Sequence, residues 1–185
     1  MTLDLLQTLT THARQRDFVS IERDEFGARR MHGYVLAVSP GLVMVQPMED
    51  FHLDGLRVLR LADISDVEQT EADRFHQTLM VHEGLEQQVR FGEAFDLRDW
   101  PSILRQLARE HDLMILECEA PEDDDFVIGR VGDLGDDAVG FEWFSNTGEW
   151  SAVPTEISFE RLTCCQVDAP YINVYRRHFE RLAKG

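Results

Sequence analysis

Apolar residues recur at near-helical spacing in two stretches, Leu3, Leu5, Leu6 and Leu9 near the start and Ile103, Leu104 and Leu107 in the second half, and each set predicts a helix. Asp99 before Trp100-Pro101 supplies an N-cap with proline near the first helical position of the second. Behind each helix the pattern changes to short runs of β-formers. Two runs carry an internal glycine, Met31 to Val38 with Gly33 and Phe126 to Val131 with Gly129, as expected where a strand bends sharply. Third strands are predicted at Leu42 to Gln46 and at Ala138 to Trp143. Polar loops with hairpin-turn signals follow, Asp54-Gly55 in one half and Asn146-Thr147-Gly148 in the other. Fourth strands are expected at Leu56 to Leu61 and Ser151 to Ile157, where Pro154 implies an edge or a bulge. Fifth strands are expected at Ile64 to Glu68 and Leu162 to Val167. Tail helices are predicted at Glu71 to Leu79 and Tyr171 to Ala183.

The element order is therefore helix and five strands, twice. One window aligns by residue as well: His12 to Glu22 matches Leu107 to Glu117 at Ala13/Ala108, Arg14/Arg109, Asp17/Asp112 and Glu22/Glu117. A mainly β fold with flanking helices, of the α+β class, is expected from two such units. The first spans 1–80 with its tail helix, 81–98 connects, and the second spans 99–185 with a C-terminal helix.

The first half contains Asp54-Gly55-Leu56-Arg57-Val58-Leu59-Arg60-Leu61-Ala62-Asp63-Ile64. This segment, with a helix ahead of five bent strands, resembles uncharacterised bacterial proteins with a duplicated Sm-like small β-barrel fold. The resemblance implies tandem five-stranded bent barrels, each preceded by a helix, and it covers most of the chain in element order. Sm-like proteins commonly bind RNA from loops with an Asp-x-x-Asn-like pattern and a basic residue before glycine. At the matching loops this chain has Phe51-His52-Leu53-Asp54-Gly55 and Asn146-Thr147-Gly148-Glu149, so neither copy supplies that pair. Two barrels in one chain could also form an internal pseudo-dimer that pairs strand edges.

Charge changes the picture of partners. The 185 residues carry 18 Lys and Arg against 35 Asp and Glu, a formal net charge of -17, which repels phosphate backbones. Bulk nucleic-acid binding is disfavoured, although Arg176, Arg177, His178, Arg181 and Lys184 gather near the C-terminus; they read as the exposed face and favourable dipole end of the last helix. A hydrophobic fraction of 43% supports a packed core. No window is long and apolar enough for a membrane span or a signal core, and the three cysteines, Cys118, Cys164 and Cys165, read as reduced thiols; a cytoplasmic location is expected.

The segment Glu49 to Asp54 gathers ligand types for zinc or manganese, and strand alternation would aim Asp50, His52 and Asp54 to one side, but a solvated turn is the expected role. Glu117, Glu119, Glu122, Asp123, Asp124 and Asp125 lack the spacing of a calcium loop and read as a solvated hairpin; with Asp133, Asp136 and Asp137 they predict a negative patch. Cys164 and Cys165 fall in a strand, one expected inward and one outward. No nucleophile elbow, phosphate loop, dinucleotide fingerprint or zinc-protease motif occurs. Phe141, Trp143, Phe144 and Trp150 form the densest aromatic cluster, in core or at a recognition patch.

The expectation is a non-enzymatic protein-interaction module with an acidic surface, without cofactor or metal, that meets a basic protein partner or a second copy of itself. Its interaction residues are Asp50, His52, Asp54, Asp123, Asp124, Asp125, Trp143 and Trp150. The alternatives are Sm-like RNA binding or riboregulation, a toxin-neutralising immunity-type protein, and a metal-dependent enzyme using Asp50, His52 and Asp54.

Overall fold

A computed structural model describes residues 2–26, 30–120 and 125–184, in which eleven strands and four α-helices form a mainly β fold with flanking helices. None of these helices is long and apolar enough to cross a membrane. The chain divides into two compact units, Met1–Asp99 and Trp100–Gly185.

The first unit runs α1 (Thr2–Gln15), β1 (Phe18–Glu22), β2 (Met31–Val38), β3 (Leu42–Glu49), β4 (His52–Leu53), β5 (Leu56–Arg60), β6 (Asp66–Glu68) and α2 (Glu71–His82). Its antiparallel strands are ordered β5-β3-β2-β1-β6, with β4 paired to β3. Helix α1 packs on β2 and β6, and α2 on β1. A cluster of Phe18, Tyr34, Met80 and Val89 is closed by Leu85 and Phe91, so the stretch 81–98 contributes to this unit's core. Arg90 N donates to the side chain of buried Gln46 at 2.8 Å, tying the same stretch to β3.

The second unit runs α3 (Trp100–Glu110), β7 (Met114–Cys118), β8 (Asp125–Leu134), β9 (Ala138–Trp143), β10 (Thr155–Ser158), β11 (Cys164–Val167) and α4 (Pro170–Leu182), with strand order β10-β9-β8-β7-β11. Ile103, Leu104 and Leu107 of α3 are buried as their spacing predicts. Tyr175 and Phe179 of α4 pack on Leu113, Ile115, Ile128 and Phe144.

The two strand orders correspond position by position. So do the internal glycines: Gly33 lies opposite Val19 and Pro47, and Gly129 opposite Met114 and Trp143. A Cβ on Gly33 would stand 2.4 Å from the Gln46 carbonyl oxygen, and one on Gly129 would stand 1.9 Å from that of Glu142. Both positions require close backbone approach, a use of a strand glycine other than the sharp bend expected from the sequence.

Three expectations are corrected. Neither unit is a closed barrel, because β6 lies beside β1, away from β5, and β11 beside β7, away from β10. The hairpin turn of the first unit is at Asp50-Phe51, since Glu49 pairs with His52; Asp54-Gly55 is the bend into β5, with Gly55 at φ 62°. The fourth strand of the second unit begins at Thr155, just after Pro154, whereas Ser151 to Pro154 lies outside the regular strand.

The segment of the family resemblance has a structural task at almost every residue. Arg57 bonds Asp54 at 2.6 Å and Arg60 bonds Asp63 at 2.7 Å, with the Arg23 guanidinium 3.8 Å from the same carboxylate. Val58, Leu61 and Ile64 are buried. Burial pushes the Asp63 carboxyl above its ordinary value, and the attraction of Arg60 and Arg23 offsets only part of that rise.

Candidate interaction surfaces

Helix α2 is positioned by polar groups on its inner face. Thr70 caps it: its hydroxyl accepts from Asp73 N while the Asp73 carboxylate accepts from Thr70 N, a reciprocal capping box. That carboxylate is 1% exposed and also accepts from the Ser20 hydroxyl at 2.9 Å, with His32 Nδ1 at 3.2 Å. One turn on, Gln77 accepts from Phe18 N at 3.1 Å and donates to the Arg16 carbonyl at 2.9 Å. Burial pushes the Asp73 carboxyl up, but its hydrogen bonds from Thr70, Ser20 and His32 outweigh that and hold it below the ordinary value. Serine, histidine and aspartate meet here, yet Ser20 is buried and His32 reaches both partners through one ring nitrogen, so the group anchors α2 to β1 and β2.

With that face turned inward, α2 leaves Phe75 61% exposed. The β3–β4 hairpin brings a second ring beside it. Both turn residues are left-handed, Asp50 at φ 47° and Phe51 at φ 59°, as a two-residue hairpin of this hand demands. Glycine and asparagine accept that conformation readily, whereas for a bulky residue it is an outlier. Phe51 is nonetheless held there, 39% exposed, in a T-shaped contact with the His76 ring at 5.7 Å. His76 in turn lies 6.3 Å from buried Phe18 and 6.4 Å from Phe75. The outcome is a ledge of Phe51, His76 and Phe75 rooted in the core. Glu49 and Asp50 flank it on the hairpin and Glu71 precedes Phe75 by one helical turn; all three are exposed, and no ion pair holds them among the described residues.

Asp50, His52 and Asp54 do not converge. His52 bonds the Asp50 carbonyl through Nδ1 at 2.8 Å, and Asp54 is engaged by Arg57. Among the described residues no three histidine, cysteine, aspartate or glutamate side chains are grouped to hold a metal. Asp125 is exposed and pairs with Arg161 at 2.7 Å, whereas Asp123 and Asp124 lie outside the described residues. Of the calcium-type carboxylates, Glu117 bonds Gln166 and Glu119 bonds the Thr163 hydroxyl, and Glu122 lies outside the described residues.

In the second unit the aromatic residues divide. Phe141 and Phe144 are core, Trp143 is half-buried, and Trp150 is 40% exposed. The turn at 146–148, with Gly148 at φ 80°, bridges Phe144 to Trp150 and sets Trp150 against Phe179 of α4 at 5.4 Å. Arg130 stacks on the Trp150 ring at 4.9 Å from its centre.

Cys118, Cys164 and Cys165 are free and buried. The expected outward thiol is absent from β11 because the strand is buried on both faces. Burial pushes the Cys165 thiol well above its ordinary value, with Glu117 adding to the rise, which suits packing and opposes thiolate chemistry.

Phe51, Phe75 and His76 carry no signal of this ledge in the sequence. The positive-φ pair has no signature of its own, because Asp-Phe is an unfavourable choice for the turn it forms, and Phe75 reads as core until the inner face of α2 is known to be polar. The chain matches no protein-family model, no curated protein and no solved structure.

Proposed function

We propose that this chain is a non-catalytic protein-interaction module, built from a duplicated Sm-like helix-and-strand unit, whose first unit docks a basic protein partner on the Phe51, His76 and Phe75 ledge. Duplication is supported by the matching strand orders and by glycines at the same register in both units. The observation that carries the functional reading is Phe51 itself. A phenylalanine is kept exposed on a backbone conformation that disfavours it, which points to a use for the ring outside the fold. Burial by a partner of the area still exposed contributes about 1 kcal/mol for Phe51, which is 39% exposed, and about 1–2 kcal/mol for Phe75, which is 61% exposed. Glu49, Asp50 and Glu71, with a chain net charge of -17, select the sign of that partner and steer its approach.

The test is a native-lysate capture with and without nuclease, at low and moderate salt, using wild type and the Phe51→Ala/Phe75→Ala double variant. A lysine- and arginine-rich protein retained by wild type after nuclease, weakened by salt and lost from the variant, is the expected result. Recovery of RNA alone would favour Sm-like RNA binding and end this reading.

A further inference from the structure

We infer that the second unit carries a separate small-molecule site, a groove between α4 and β8 that binds a zwitterion with an apolar body, the apolar α-amino acids being the simplest class. The groove encloses about 410 Å³, within the range of small-ligand sites, and its apolar lining is Leu113, Trp150 and Phe179. Its charged groups divide into spent and available ones. Arg176 gives Nε to Asp112 at 2.8 Å and also bonds Asp168 and Asn173, so Arg176 and Asp112 neutralise each other.

Arg130 is different. Glu142 takes its Nε at 2.6 Å and the Trp150 ring lies under its plane, which together fix the guanidinium while its two terminal amino groups make no hydrogen bond among the described residues. Glu180, one helical turn beyond Arg176, is exposed and has no hydrogen bond or ion pair among the described residues. One oriented cation edge and one carboxylate thus border an apolar floor. A lone anion would meet Glu180, and a lone cation would meet Arg130. A molecule carrying both charges satisfies both, and being neutral overall it enters without opposition from the -17 field of the chain. The site shares no residue with the first-unit ledge, so the two proposals fail separately.

Three near-isosteric probes test it on the full chain by titration calorimetry: L-phenylalanine, 3-phenylpropionate without the ammonium, and phenethylamine without the carboxylate. Saturable binding of phenylalanine is expected, about tenfold tighter than either of the others. Arg130→Gln should weaken phenylalanine about tenfold without weakening phenethylamine, whose opposing cation it removes, and Glu180→Gln should weaken phenylalanine without weakening phenylpropionate. Both positions are on the surface, and unchanged circular dichroism verifies the fold of each variant. Absence of saturation with phenylalanine, equal or tighter binding of either singly charged probe, or indifference to Arg130→Gln overturns the assignment.

Discussion

A single hydrogen-for-methyl exchange at Gly129 tests how closely the strands approach. The added Cβ would meet the Glu142 carbonyl oxygen at 1.9 Å and Trp143 Cα at 2.8 Å, both backbone atoms that no rotamer change can move aside. Gly129→Ala should therefore lower stability by about 2–3 kcal/mol in a urea titration, the upper part of the overpacking range. Gly41, with nothing near its Cβ position, is the control and should tolerate alanine. Asp73 is the other residue on which local structure converges. Asp73→Asn removes the charge from a fully buried carboxylate that Ser20, Thr70 and His32 surround, and should cost about 2–3 kcal/mol. The pH dependence has a definite sign. Because the folded carboxyl is held below its ordinary 3.8, its contribution is complete above that value and is lost as pH falls through the lower folded one. Below that value wild-type stability should therefore fall with acidification more steeply than that of Asp73→Asn, whose own curve lacks this component.

At the scale of elements, the β3–β4 hairpin separates stability from use. Asp50→Asn with Phe51→Gly installs the pair this turn prefers, and thermal unfolding should show a gain of about 1 kcal/mol together with loss of partner capture. A loss of stability would mean that the Phe51 contact with His76 outweighs the backbone cost, and that the ring serves the fold. Elements with strong periodicity were legible in the sequence. Helix α3 begins at the Trp100-Pro101 signal, β9 occupies Ala138–Trp143, α2 extends the predicted tail helix to His82, and α4 matches the other shifted by one residue, Pro170–Leu182. The turn was misplaced because Asp54-Gly55 carries the better hairpin residues, while register between Glu49 and His52 decided the position. Cys164 and Cys165 escape the inward-outward alternation because β11 is buried on both faces, where a period of two carries no information about exposure.

For the whole molecule, two units of corresponding strand order were foreseeable from the repeated sequence of elements, with one short residue match across the helix-to-strand junction of each. That neither unit closes into a barrel was not, because pairing between the last strand and its neighbours is a long-range choice that local patterns do not encode. The site residues divided similarly. Trp150 stood out by density of aromatic residues, whereas the ledge depends on three elements meeting, α2, the hairpin and the Phe18 strand. Charge operates at this scale too. At -17 the chain repels other acidic surfaces beyond the immediate contacts, with a reach of about 8 Å in physiological salt, which is the ground for proposing a basic partner. The most direct test places a photocrosslinking benzoyl-phenylalanine at position 75 in cells, with the same group at exposed Val153 of the second unit as the control. A discrete adduct with a lysine- and arginine-rich protein from position 75, absent from position 153, is the result this account predicts. An RNA adduct, or identical adducts from both positions, would contradict it.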